Sequence, residues 1–136
     1  MEQFAPYSHA IASLALWGLL MIALSMISTR GMKPEDRTDS GVPKRDYVVP
    51  SYRRYRAFQN AIETSPAFIT TTLAAILAGT SPLLVNIFAS AFLLARLAMA
   101  FVHIRTENQP LRSACFGFGW LMIIFMALCA LYAVFV

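Results

Sequence analysis

Four apolar stretches divide the chain, at about residues 10–28, 57–78, 83–104 and 113–136, each near the roughly 20 residues that cross a bilayer core. The first and last carry no charge. The second holds Gln59, Asn60 and Glu63 near its start, and the third holds Arg96 and His103. Backbone inside lipid must satisfy its own hydrogen bonds, so all four read as helices. The pattern predicts an all-α, integral membrane four-helix bundle forming a single domain. Its spans are expected at about 8–29, 53–78, 82–104 and 112–135, with a long loop at about 30–52.

The connections differ in length and charge. Gly79-Thr80-Ser81-Pro82 is a tight turn, with Gly79 suited to end a helix and Pro82 to begin one. The first loop is rich in turn formers (Gly31, Pro34, Asp39, Ser40, Gly41, Pro43, Pro50), which together with its length predicts a partly mobile segment. Pro66 marks a point where the second helix is expected to kink. The first apolar run is too long for a cleaved signal peptide, and positive charge follows it where a signal peptide would have it first; it reads as a retained span.

Composition supports lipid as the solvent. Apolar residues make up 58% and charged residues 13%, against about 25% charged in soluble domains. Eight of the eleven Lys and Arg residues fall between Arg30 and Arg56. They alternate with Glu35, Asp36, Asp39 and Asp46, which argues against a nucleic-acid surface. Loops one and three hold the positive charge, so the positive-inside rule places them in the cytoplasm and both termini on the non-cytoplasmic side. The absence of a targeting extension and the compact length point to a bacterial inner membrane. Cys115 and Cys129 lie on one helix, roughly 21 Å apart at 1.5 Å per residue, too far to bridge. Their spacing matches no metal site.

The candidate chemistry is in the polar residues of the spans. Arg53, Arg56, Asn60 and Glu63 are spaced three, four and three apart, which puts them within about 80° of one another on a helix. Burying a carboxylate there is costly, and Glu63 needs a partner. Arg96 is the candidate, because the two helices are antiparallel neighbours and both residues stand at similar distances from the Gly79–Pro82 turn. His103 closes the third span, and Arg112-Ser113 opens the fourth at the same end. Three helices thus direct Arg56, Asn60, Glu63, Arg96, His103, Arg112 and Ser113 to one cationic zone between water and lipid. Such a zone suits a small anionic ligand, or a polar molecule meeting a lipophilic one. A channel or transporter would need polar residues at several depths, whereas these charges gather toward one end. Arg53, Arg54 and Arg105 read as interfacial anchors.

The stretch Arg56-Ala57-Phe58-Gln59-Asn60-Ala61-Ile62-Glu63-Thr64-Ser65-Pro66 resembles the signature of the MAPEG family, the membrane-associated proteins in eicosanoid and glutathione metabolism. That signature runs Arg-Ala-x-x-Asn-x-x-Glu with Pro close behind. Ala95-Arg96 and, sixteen residues on, Arg112-Ser113 match the family's later motifs. The resemblance implies a homotrimer with sites between subunits that bind glutathione as co-substrate and act on a lipophilic small-molecule electrophile. It implies that Arg56, Asn60 and Glu63 hold glutathione, that Arg96 braces Glu63 or the ligand, and that Arg112, helped by Ser113, stabilises the thiolate, with His103 as a further donor. The implied activity is a transferase or peroxidase; the alternative is a non-catalytic member binding lipid or a thiol ligand. The chain departs from catalytic members at Met99, His103, Thr64 and Phe116, where such members carry Tyr or, in some cases at the third helix, His.

Overall fold

The computed structural model describes residues 2–136, and its regular structure is helical apart from one isolated bridge. A 3-10 turn over Glu2–Tyr7 leads into α1 (Ser8–Thr29); α2 (Pro50–Leu77), α3 (Pro82–Arg105) and α4 (Gln109–Phe135) follow. Local signals set the boundaries. Pro50 and Pro82 occupy first-turn positions of α2 and α3, where a missing N–H costs nothing. Asn108 caps α4, its side-chain oxygen accepting from the Leu111 amide at 3.0 Å. The α2–α3 turn closes through Gly79 at φ +70°, with Gly79 N–H on the Ile76 carbonyl and Thr80 N–H on the Ala75 carbonyl. This pair of bonds satisfies α2's last carbonyls and needs a left-handed residue between them. Pro66 does not end α2, which continues through it to Leu77.

The helices alternate in direction. Tyr7 donates its hydroxyl to the Thr80 carbonyl at 2.6 Å, and Thr80 donates to the Cys129 carbonyl at 3.4 Å. Asn86 accepts from the Ala10 amide and donates to the Pro6 carbonyl. These bonds put the start of α1, the α2–α3 turn and the end of α4 together, opposite the long loop.

Three helical segments are long and apolar enough to cross a membrane: Glu2–Thr29, Pro82–Arg105 and Gln109–Phe135. The sequence pattern predicts four. The second helix has the length but carries Arg53, Arg54, Arg56 and Glu63, so one of its faces is unsuited to lipid. Its inward face reads Ala57, Ala61, Thr64, Phe68, Thr72, Ala75. Apart from Phe68 these are small residues, which let neighbouring backbones approach closely, and that is how helices associate where lipid removes the hydrophobic drive between them. The centre of the bundle is aromatic. Phe68 and Phe92 stack at 3.9 Å, and Trp17 meets both edge-on at 6.0 and 5.2 Å. The Trp17 indole donates to the Ser65 hydroxyl at 2.9 Å, so its polar edge is satisfied.

Trp17 joins three helices, and truncating it opens a cavity among rigid neighbours. Trp17→Ala is expected to destabilise the bundle by on the order of 3 kcal/mol, while Leu16→Ala, on the exposed face of α1, changes stability by less than about 0.5 kcal/mol. Thermal unfolding of both variants in the same detergent checks this.

Candidate functional site

The polar face of α2 is the base of the site. Arg56 and Glu63 lie two helical turns apart, on the side turned away from the bundle core, and pair at 3.6 Å. Asn60 stands between the core and this face, and its amide lies 3.4 Å from Nδ1 of His103 on α3. With Asn60 as donor, the imidazole proton sits on Nε2, which is buried and has no partner among the described residues. From α4, Arg112 and Ser113 enter at the same level. A cavity of about 220 Å³ is lined by Tyr47, Arg56, Asn60, Met99, Arg112, Ser113 and Phe116. It thus brings together four of the seven residues picked out by sequence; His103 adjoins it through Asn60, and Glu63 through Arg56.

Arg96 is placed differently from the sequence expectation. It does not pair with Glu63. Its side chain is 2% exposed and lies under Phe116, the guanidinium 4.7 Å from that ring and 5.4 Å from Phe92. Its Nη1 points to the Met99 sulfur at 3.0 Å, while Nε and Nη2 have no partner. The reason is rotational. Arg96 lies on α3's buried face with Phe92, Met99 and His103. Glu63 stands roughly 130° from the inward face of α2 at 100° per residue, and its side chain is 53% exposed. Equal depth brought the two to one level without turning them toward each other. Gly119 makes room for the buried cation: a Cβ there would come within 3.3 Å of Arg96 Nε.

Sequence reasoning missed Tyr47. The long loop is folded back over the loop-side end of the bundle by its own hydrogen bonds, among them Thr38 N–H to the Val42 carbonyl and Lys44 N–H to the Asp36 carbonyl, both at 2.8 Å. Arg53 is more than an anchor. Its Nη1 donates to the Tyr47 carbonyl at 2.7 Å, the Val48 carbonyl at 3.0 Å and Glu107 at 3.2 Å, and Nε reaches the Ile104 carbonyl at 3.4 Å. It thereby fastens the loop to the end of α3. Tyr47 is held with its ring 4.6 Å from the Arg112 guanidinium, 5.9 Å from His103 in a stacked arrangement, and edge-on to Tyr52 at 5.0 Å. The available signal was an aromatic residue beside Val48 and Val49 at the end of a charged loop.

A second cavity of about 390 Å³ lies toward the loop, lined by residues that include Arg45, Tyr52, Tyr55 and Gln59. It shares Tyr47 and Arg56 with the first. Arg112 makes no ion pair among the described residues and faces only an aromatic ring. A cation in that state attracts an anion brought into the cavity, and a guanidinium offers it a fork of donors. At the positions where the expected tyrosines are absent, Thr64 is buried and bonded to its own helix, and Met99 and Phe116 wall off Arg96.

The family model described as the MAPEG family matches residues 7–132, nearly the whole chain. Comparison with curated proteins and with solved structures gives no match. With three membrane-competent helices and a fourth that bears the Arg56–Glu63 stripe, the chain is an integral membrane protein and belongs to the MAPEG family.

Proposed function

We propose that this protein is a membrane-embedded, glutathione-dependent transferase or peroxidase acting on lipophilic electrophiles. The observation that carries this reading is the cavity where Arg56, Asn60, Arg112 and Ser113 meet beneath Tyr47. Family membership supports glutathione metabolism in the broad sense. Two guanidiniums and an amide lining one cavity suit a peptide with carboxylate groups. Arg112, without a carboxylate neighbour, is the group to stabilise a thiolate. A free thiol has a pKa near 8.5, which nearby cations lower, and each unit is worth about 1.36 kcal/mol in favour of the thiolate. In the transferase reaction the thiol proton leaves to water, the sulfur lone pair forms the S–C bond, and the leaving group departs with its electrons. In the peroxidase reaction two thiols are oxidised to a disulfide while the hydroperoxide is reduced to an alcohol and water.

The reading includes a homotrimer, with the loop end facing the cytoplasm. Glu63 supports assembly: a half-exposed carboxylate on a membrane helix is unfavourable against lipid, where acidic and basic residues at a helix centre cost about 2.5–3.5 kcal/mol on insertion scales. A neighbouring copy would cover the outer face of α2 and close the cavity that this face borders.

Tyr47 is the phenol of this site. In the proposed arrangement it takes the place of hydroxyls that Thr64, Met99 and Phe116 do not supply, and its ring orients Arg112. The second reading, a member that binds a thiol or lipid without turnover, is favoured by those same three positions.

Purified protein given millimolar glutathione is expected to show thiolate absorbance in the ultraviolet, and Arg112→Ala to abolish it. No signal in the wild type would refute the thiolate assignment; a signal without turnover across a panel of electrophiles would establish the second reading. Tyr47→Phe keeps the ring over Arg112 and is expected to retain glutathione affinity while losing about a hundredfold in rate, the lower end of the range for loss of one positioned donor. Tyr47→Ala is expected to weaken both. Steady-state kinetics against glutathione concentration separate the two effects.

A further inference from the structure

We propose that a pocket between the loop-side ends of α1, α2 and α3 binds the phosphate headgroup of an anionic glycerophospholipid. This pocket has a volume of about 580 Å³ and shares no lining residue with either cavity of the candidate site. Its size lies within the ordinary range for small-molecule sites, about 300–1,000 Å³. Arg53, Arg54 and Arg105 line it together with Ile27, Phe101 and Ile104, and no carboxylate does.

The three arginines are not equivalent. Arg53 is committed to the loop carbonyls and to Glu107, the nearby acidic residue. Arg54 is fixed by one bond, Nη2 to the Arg30 carbonyl at 2.6 Å, and its Nε is without an acceptor among the described residues. Arg105 is exposed and makes no ion pair or side-chain hydrogen bond among them. Two guanidiniums on one pocket therefore retain unused donors and uncompensated charge. Phosphate oxygens, like those of a carboxylate, meet such forks two at a time.

The apolar residues identify the source of the phosphate. Phe101 is largely exposed and lies one turn before Arg105 on the same side of α3, on the membrane side of that arginine. The pocket is thus cationic toward the aqueous end and apolar toward the membrane interior. That polarity matches a molecule with a phosphate above and a glycerol ester and acyl chain below. Inorganic phosphate would use only the upper part.

The inference does not rest on the glutathione reading. It is tested on the intact protein by native mass spectrometry from detergent, titrated in turn with phosphatidylglycerol, phosphatidylcholine and inorganic phosphate. One phosphatidylglycerol per chain is expected to be retained in preference to phosphatidylcholine. Arg105→Gln is expected to weaken it about fivefold, as for one cation facing an anionic headgroup. Because Arg105 holds no other group, this variant leaves the fold intact. Lys44→Gln removes the same charge from the exposed loop and is expected to change little. Equal retention of both lipids would overturn the proposal by removing headgroup selection, and equal weakening by Lys44→Gln and Arg105→Gln would overturn it in favour of diffuse surface attraction. Inorganic phosphate competing as tightly as the lipid would overturn the lipid assignment and leave a simple anion site.

Discussion

A helix with a charged face has to be covered before it is stable in a bilayer, and α2 is that helix here. Its inner face of Ala57, Ala61, Thr64 and Phe68 packs against α1, α3 and α4, but the Arg56–Glu63 stripe is on the other side. Other features follow from this. The loop folds back over the cationic end, Arg53 ties it down, and Tyr47 is laid across Arg112. In the proposed assembly, a second copy covers what remains. The site is thus made from the surface that the bundle could not bury within one chain.

The two charged residues expected to neutralise each other do not meet, which changes the chemistry available. Glu63 remains with Arg56 on the outer face. Arg96 is kept inside by aromatic rings and a methionine, with Gly119 leaving it space. A buried guanidinium without a carboxylate contributes positive potential beneath Phe116 and the cavity it lines. Weak screening in such surroundings makes that charge felt over a longer distance than in water. Arg56 and Arg112 line the cavity and Arg96 lies behind its Phe116 wall, so three cations and one carboxylate, that of Glu63, stand near it, a field suited to an anionic ligand.

Much of this was legible in the sequence, for identifiable reasons. The four helices follow from the apolar runs and from the Gly79 and Pro82 punctuation, and the common level of Arg56, Asn60, Arg112 and Ser113 follows from helical spacing measured from the turns. The Glu63–Arg96 pairing failed because depth along a helix can be counted, whereas rotation of one helix against another depends on packing, here on Phe92 and Gly119. Tyr47 was not legible because loop position depends on contacts distant in sequence, from Arg53 to the Tyr47 carbonyl and across to Glu107. The insufficiently apolar character of α2 was visible residue by residue in Arg53, Arg56 and Glu63. Its consequence, a face left uncovered by the chain's own helices, required the structure.

The central claim is that the polar face of α2 is covered by further copies of the chain in the membrane. The most direct measurement is the number of chains per particle, obtained by counting single-molecule photobleaching steps of fluorophore-labelled protein in dilute liposomes. The account predicts particles of three chains that persist on dilution. Single chains, with the Arg56–Glu63 face left against lipid, would contradict it.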